Sequence, residues 1–164
     1  TKTPAQRCRD ILNTAKKLYE VRKFKAAEYY FLLAQAAYES EGLTNDINYS
    51  KVFSDLGLLY ATLGRYNTAS QYTEQALDMR AQTLGEKSYG YAASINNRAV
   101  LYQELAFFNE AEKDFEEAAA IAKEVVGPQS QEYAIVLNNE AILLAEVGRY
   151  EEAIANLLQV VGIM

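Results

Sequence analysis

Residues 56–69 read LGLLYATLGRYNTA, and this stretch decides the fold because its pattern recurs every 42 residues. The aromatic Tyr66 follows a short turn, with Gly57 nine residues before it and Ala69 three residues after it. The aromatic recurs as Phe24, Tyr66, Phe108 and Tyr150, and the small residue nine positions before it as Ala15, Gly57, Ala99 and Ala141. The residue three positions after the aromatic recurs as Ala27, Ala69, Ala111 and Ala153, and the residue ten positions after it as Ala34, Ala76, Ala118 and Val160. A fixed period of this size is typical of stacked supersecondary units.

Each copy of the pattern predicts a pair of helices. In the second copy, apolar residues follow three-and-four spacing from Val52 to Leu63, a turn falls at Gly64-Arg65, and a second helix runs from Tyr66 to Leu84. Turns at the same position are predicted at 22–23, 106–107 and 148–149. Helix starts are predicted at side chains that can cap a first turn, namely Thr3, Asp46, Ser88 and Ser130. No segment sustains the alternation of a strand.

The small residues have a packing role in this prediction. Two helices of a hairpin approach to roughly 8–10 Å, and an alanine or glycine on each helix leaves room for a large neighbouring side chain. A single hairpin cannot bury its apolar stripe, so successive hairpins must stack. We therefore expect one all-α domain over residues 1–164, with repeats at about 4–45, 46–87, 88–129 and 130–164, the last of them truncated.

Composition argues against several functional classes. The chain of 164 residues carries a net charge of −6, which disfavours binding to nucleic acid. It has no histidine and a single cysteine, Cys8, so we expect no enzyme activity, no catalytic or metal-binding residue and no cofactor. No apolar run approaches the roughly 20 residues of a membrane span. With one cysteine and no sign of secretion, we expect a cytoplasmic protein without membrane contact.

Positive charge is concentrated in the first 25 residues, and the second half of the chain is strongly acidic. The basic end could attract an acidic peptide or the acidic end of a neighbouring copy, or it could simply be a solvated end face. The chain also holds 13 tyrosines. Most of them fall at positions fixed by the repeat, including Tyr49, Tyr91 and Tyr133, which favours packing over a surface that stacks nucleic-acid bases.

The stretch from Leu56 to Tyr66 and the stretch GRYEEA at 148–153 resemble the tetratricopeptide repeat (TPR). The 42-residue length is similar to the kinesin light chain type, whose Leu-Asn-Asn-Leu-Ala signature is matched by LNNEA at 137–141 and INNRA at 95–99. Arg98 and Glu140 replace the leucine of that signature, and Arg22 and Ala106 replace the turn glycine. The resemblance implies a right-handed α-solenoid of four helix-turn-helix hairpins.

The resemblance also implies that the first helices line a concave groove that binds a peptide or a partner protein. The family's groove positions correspond here to a ladder of polar residues and to polar residues beside it, namely Asn13, Asp55, Asn97 and Asn139, with Asn96, Asn138, Arg9, Lys16 and Lys51. An asparagine amide has two donors and an acceptor, so it can hold the backbone of an extended peptide. Alternatively, these asparagines bond each other or nearby helix ends.

Two other functions remain open at this stage: a structural self-assembly module that acts through its end faces, and a peptide-sensing regulatory domain of a larger protein. The last helix is expected to meet Gly162 after 12 residues, and residues 157–164 are nearly all apolar. Repeat arrays need a wettable terminal face. We therefore expect either a fragment of a longer repeat protein or a homodimer through this C-terminal face, which glutamate at Leu158 and Val161 would disrupt.

Overall fold

The computed structural model describes residues 1–164 and contains eight helices and no strand. The helices are α1 (Pro4–Glu20), α2 (Phe24–Ser40), α3 (Ile47–Thr62), α4 (Tyr66–Leu84), α5 (Tyr89–Glu104), α6 (Phe108–Val125), α7 (Gln131–Glu146) and α8 (Tyr150–Ile163). The chain divides into two compact units, Thr1–Met79 and Arg80–Met164, and the division falls within the residues of α4. The expectation of one domain over the whole chain stays a prediction. No helix is long and apolar enough to cross a membrane.

The predicted capping residues begin the first helix of every pair. The Thr3 side chain accepts a hydrogen bond from the backbone N–H of Gln6, and the Gln6 side chain accepts one from the backbone N–H of Thr3. Asp46, Ser88 and Ser130 each accept a bond from a backbone N–H of the following first turn. Each cap satisfies a donor that the helix leaves unpaired and contributes about 1 kcal/mol.

The four predicted turns have one geometry. In each, one residue takes a left-handed backbone, and the next donates its N–H to a carbonyl five residues back, at 2.8–2.9 Å, which closes the end of the first helix. The left-handed residues are Arg22, Gly64, Ala106 and Gly148. The predicted end of α4 at Leu84 is confirmed, whereas α8 continues through Gly162 to Ile163 instead of stopping at the glycine.

Small residues fill the hairpin contacts in both units, as the period predicts. The alanines and Gly57 at the repeated positions are buried, and Val160 is 9% exposed. Gly57 shows why size matters, because a Cβ atom built on it would lie 2.5 Å from the Thr73 hydroxyl oxygen. The repeat also predicts large gap-filling side chains 42 residues apart, at Leu18, Tyr60, Tyr102 and Leu144. Of these, Tyr60 and Leu144 are buried, whereas Leu18 and Tyr102 are half-buried.

Tyrosine side chains pack the core of the unit Thr1–Met79. The rings of Tyr38, Tyr49, Phe53, Tyr72 and Tyr60 contact one another in series, with centroids 4.9–6.2 Å apart. The Tyr49 hydroxyl donates to Glu39 and the Tyr60 hydroxyl to Glu28, at 2.6 and 2.7 Å. Burial and these carboxylates raise the pKa of both phenols. The expectation that the repeated tyrosines pack the fold is confirmed for Tyr49.

The two units use the same ion pair to hold one hairpin against the next. Arg65 in the turn before α4 contacts Glu28 of α2 at 3.3 Å, and Arg149 in the turn before α8 contacts Glu112 of α6 at 2.6 Å. These residues occupy matching repeat positions. In these two places a carboxylate on a second helix pairs with a cation in the following turn, whereas the matching positions of α4 and the turn before α6 hold Ser70 and Phe107.

In the unit Arg80–Met164, Arg98 occupies a position where the resemblance predicts leucine. It makes a two-point contact with the nearly buried Asp114 of α6, with N–O distances of 2.8 and 3.0 Å. The positive charge of Arg98, which faces α6, is therefore neutralised by the carboxylate of Asp114. One repeat later, Glu140 stands in the place of Arg98 and Asn156 in the place of Asp114.

Candidate functional site

First helices lie side by side within each unit, α1 beside α3 and α5 beside α7, as a groove of first helices requires. Hydrogen bonds between residues 43 apart join them. Tyr19 and Thr62 share a bond of 3.0 Å between their hydroxyl oxygens, and Gln103 donates to Glu146 at 2.8 Å. The predicted site residues fall on the α1–α3 face of one unit and on the α5–α7 face of the other.

The α1–α3 face carries an open pocket of about 170 Å³ that brings together two of the predicted residues, Lys16 and Asp55. Its other lining residues are Tyr19, Glu20, Phe31 and Leu58. An ammonium, two carboxylates and an apolar floor make it suited to a polar or charged side chain. Asn13, Arg9 and Lys51 are exposed and do not line this pocket.

The α5–α7 face contains the clearest part of the asparagine ladder. The Asn139 side-chain N–H donates to the Asn96 side-chain oxygen at 3.3 Å. Asn96 is only 9% exposed, so it holds Asn139 in place instead of presenting its own amide. This pair shows that the alternative in which the asparagines bond each other holds for two of them. The bond uses one of the two N–H donors of Asn139, which leaves the rest of its amide for other contacts.

Asn138 and Asn139 line an open pocket of about 460 Å³ that lies between α7 and the C-terminal end of α8. Ile135, Val160 and Met164 form apolar walls, and Gln131 and Ala134 complete the lining. Asn97, the next predicted residue, is half-buried on α5 and does not line this pocket. A pocket with apolar walls and a rim of amides can accept an apolar side chain while the amides hold the adjoining backbone.

Two isoleucines on α7 were missed by the sequence reasoning. Ile135 and Ile142 are each 53% exposed and stand seven residues apart, so both project from one face of the helix with Asn138 between them. Ile142 lines a second open pocket with Gln103, Glu104, Ala145 and Glu146. The sequence could have indicated them, because neither isoleucine falls at one of the repeated small or aromatic positions that the period assigns to the core.

The two faces differ in charge. The α1–α3 face carries both signs of charge, with Arg9, Lys16 and Lys51 as cations and Glu20 and Asp55 as carboxylates. The α5–α7 face carries the carboxylates of Glu104 and Glu146 at one end and the uncharged amides of Asn138 and Asn139 at the other. Uncharged amides can read a peptide backbone without selecting a charged side chain.

The comparisons with known proteins agree with this architecture. Two family models, both described as tetratricopeptide repeat, match residues 52–88 and 90–164. The solved structure of BtubC (BKLC) from P. vanneervenii aligns with 99% of this chain at 20% identity, with a TM-score of 0.82. This chain spans 65% of that structure's length.

A second similar structure has repeats of the same kind. The structure described as a putative kinesin light chain with nearly identical TPR-like repeats, from Podosopora anserina, aligns with 99% of this chain and 97% of its own, at 18% identity and a TM-score of 0.64. Comparison with curated proteins gave no match. At these identities the structural likeness shows the fold alone. With two family models matching successive parts of an all-α solenoid of helix-turn-helix repeats, the chain belongs to the tetratricopeptide repeat family.

Proposed function

We propose that this chain binds an extended segment of a partner protein along the α5–α7 face. Tetratricopeptide repeats are generally protein-interaction scaffolds, which sets the class of function. The observation that carries the proposal is the combination on α7 of two exposed isoleucines with Asn138 and Asn139 between them. In this proposal the amides hold the backbone of the segment, and the pocket walled by Ile135, Val160 and Met164 accepts one of its apolar side chains.

The Asn139–Asn96 bond supports this assignment. A surface amide that is already oriented loses less side-chain freedom when a ligand binds, and this loss is one of the main costs of association. Asn96 is buried and fixes the Asn139 amide from below. A segment lying along α7 would therefore meet a preorganised donor and acceptor beside an apolar pocket. The uncharged rim favours a segment whose contact residues are apolar and polar instead of strongly charged.

The test begins with a peptide array of extended sequences probed with the whole chain, followed by affinity measurement in solution. Replacing Asn138 and Asn139 together with alanine should weaken the binding of selected peptides about tenfold, because each hydrogen bond contributes about 0.5–1.5 kcal/mol. Asn109→Ala changes an exposed asparagine on α6, outside the face, and should leave the affinity unchanged. Circular dichroism of both variants should match the parent.

Two outcomes would reject the proposal. One is an array in which no extended peptide binds the chain above background. The other is a set of peptides whose affinity is the same for the parent and for the double alanine variant. Loss of affinity with Asn109→Ala alone would place the contact on the second helices.

A further inference from the structure

The outward side of α2 carries an apolar stripe, which consists of Tyr29, Leu32, Leu33 and Ala36. Steps of three, one and three residues place these side chains on one face of the helix. Tyr29 is 63% exposed, and Leu32 and Leu33 are 39% and 38% exposed. The buried residues of α2, on the opposite side of the helix, are Ala27, Phe31, Ala34 and Tyr38. The stripe therefore points away from the core of its own hairpin.

The same side of the later second helices is polar. The four matching positions hold Gln71, Glu74, Gln75 and Asp78 in α4 and Lys113, Glu116, Glu117 and Ala120 in α6. All four positions of α6 are exposed, although α5 and α7 both pack against that helix. Neighbouring hairpins therefore leave this side of a second helix in water, so the exposure of the stripe on α2 does not come from a missing neighbour. The repeat gives no reason for apolar residues there.

Charged side chains of opposite sign stand at the two ends of the stripe. Lys25 lies seven residues before Leu32 and Glu39 lies seven residues after it, so the three are nearly in line along one flank. Both charged residues are exposed. The Glu39 carboxylate accepts hydrogen bonds from Tyr49 and Gln35 through one oxygen, Oε2, at 2.6 and 3.3 Å, and these bonds orient it. Because the apolar centre lies midway between a cation and an anion, the stripe is complementary to a copy of itself turned end for end.

We propose that this stripe binds the same stripe of a second copy of the chain, with the two α2 helices antiparallel about a two-fold axis. Lys25 of each copy then faces Glu39 of the other, and each Tyr29 ring lies against Ala36, a large side chain against a small one. Leu32 and Leu33 lie beside the axis and meet their own counterparts. A parallel pair would instead place like charges together at both ends, so charge complementarity selects the antiparallel arrangement.

The size of the stripe sets the strength of the contact. Its exposed side chains offer roughly 300 Å² of apolar surface per copy, against roughly 800 Å² per partner in a standard stable interface. We therefore expect a weak, reversible dimer with a dissociation constant on the order of 100 µM. The largest side chain is already oriented, because the Tyr29 ring contacts the Tyr30 ring edge to face, with centroids 5.3 Å apart. The stripe lies in the unit Thr1–Met79, so the proposal does not depend on the peptide site of the α5–α7 face.

Sedimentation equilibrium from about 10 µM to about 1 mM measures this association. The parent chain should shift from monomer to dimer, and Leu32→Glu should weaken the dimer by about tenfold or more, because it brings two carboxylates together beside the axis. This variant should fold, since Glu74 and Glu116 stand at the same position in α4 and α6. Ala120→Glu adds the same charge to the outer side of α6 and should leave the association unchanged.

Two results of this experiment would overturn the proposal. One is a parent chain that stays monomeric up to about 1 mM, well above the expected dissociation constant. The other is a dimer that is equally stable in Leu32→Glu. If the monomeric parent instead sediments with phospholipid vesicles and Leu32→Glu does not, the stripe is a membrane contact and the second copy is rejected.

Charge reversal tests the orientation. Lys25→Glu should weaken an antiparallel dimer, because it sets a carboxylate against Glu39 of the other copy at both ends, and adding Glu39→Lys to the same chain should restore the affinity. In a parallel pair, Lys25→Glu would only exchange a repulsion between two ammonium groups for one between two carboxylates. An affinity unchanged by Lys25→Glu would therefore overturn the proposed orientation.

Cross-linking tests the orientation without disturbing the bond between Glu39 and Tyr49. In a Cys8→Ser background, Lys25→Cys and Ser40→Cys are made as separate proteins, since both positions are exposed at the ends of the stripe. In an antiparallel pair, Lys25 of one copy lies near Ser40 of the other, so an oxidised mixture should form the mixed disulfide faster than either protein forms a disulfide with itself. Faster self-pairing of Lys25→Cys would indicate a parallel pair and overturn the orientation. Circular dichroism checks that each variant retains the parent's helical content.

Discussion

At the scale of single residues, the four turns differ in how well their left-handed residue suits its backbone. Gly64 and Gly148 reach φ of 77° and 87°, while Ala106 and Arg22 hold φ of 62°. A Cβ atom in this region crowds the following carbonyl oxygen and costs roughly 1–2 kcal/mol. Arg22 offsets part of this cost, since its guanidinium lies 5.2 Å from the Phe24 ring centroid. The side chain of Ala106 is only an exposed methyl group, which offers no comparable compensation.

We predict that Ala106→Gly stabilises the protein by about 1 kcal/mol, because it removes the strain and takes away only an exposed methyl group. Chemical denaturation measures the change. Ala120→Gly is the matched control, since it makes the same substitution at an exposed position inside α6 and should destabilise by about 0.5–1 kcal/mol. If both changes lower stability, the left-handed turn at Ala106 carries no strain.

The residue scale also shows what the sequence could and could not predict. The caps at Thr3, Asp46, Ser88 and Ser130 and the four turns follow from local chemistry, and the structure confirms them. The bond between Asn139 and Asn96 could be expected only as an alternative, because it depends on the distance between two helices. Spacing along one helix does not give that distance, and the ligand-binding role of the ladder stays a prediction.

At the scale of elements, the packing of α7 against its neighbours leaves one poorly placed charge. Burial raises the pKa of the Glu140 carboxyl, and the nearby carboxylates of Glu116 and Glu112 raise it further, whereas Asn156 and Arg149 lower it. The folded state therefore binds this proton more tightly than the unfolded chain does. The charged form costs stability near neutral pH, and this cost falls as the pH drops through the folded-state pKa.

Glu140→Gln should therefore stabilise the protein at pH 7, and the gain should disappear by about pH 4, where the unfolded carboxyl is also largely protonated. Urea denaturation of parent and variant at several pH values gives the difference in unfolding free energy. Glu151→Gln is the control, because Glu151 is exposed in the first turn of α8, where a negative charge is favourable. An equal gain at pH 4 and pH 7 would show that the burial of charge is not the cause.

Helix pairs were predictable because a period of 42 residues fixes every element from any one of them, and the bounds agree closely with the structure. The walls of the α7 pocket were not, since Ile135, Val160 and Met164 come from two helices and are assembled only by their packing. The predicted end of α8 at Gly162 was wrong for a local reason. Gly162 keeps a helical backbone there, because a glycine permits a left-handed turn without requiring one.

At the scale of the whole molecule, stability in a repeat protein is roughly the sum of each repeat and its contacts with the next, so damage should stay local. Gly57 provides the test within the unit Thr1–Met79. An alanine Cβ there would lie 2.5 Å from the Thr73 hydroxyl and 3.4 Å from the Thr73 backbone nitrogen. The overlap is with the hydroxyl alone, but Thr73 is buried and β-branched, so few rotamers are open to relieve it.

Gly57→Ala should cost about 1–3 kcal/mol through this overlap and recover up to about 1 kcal/mol through helix propensity, for a net loss of stability. Gly90→Ala is the matched control in the other unit, because its Cβ would meet only the flexible end of Leu84 at 2.5 Å and should be neutral or stabilising. Hydrogen exchange should then quicken in α3 and the start of α4 in Gly57→Ala, while α7 and α8 keep the parent's protection. Equal acceleration along the whole chain would mean that the repeats unfold as one cooperative body, and the local accounting of stability would not apply to this protein.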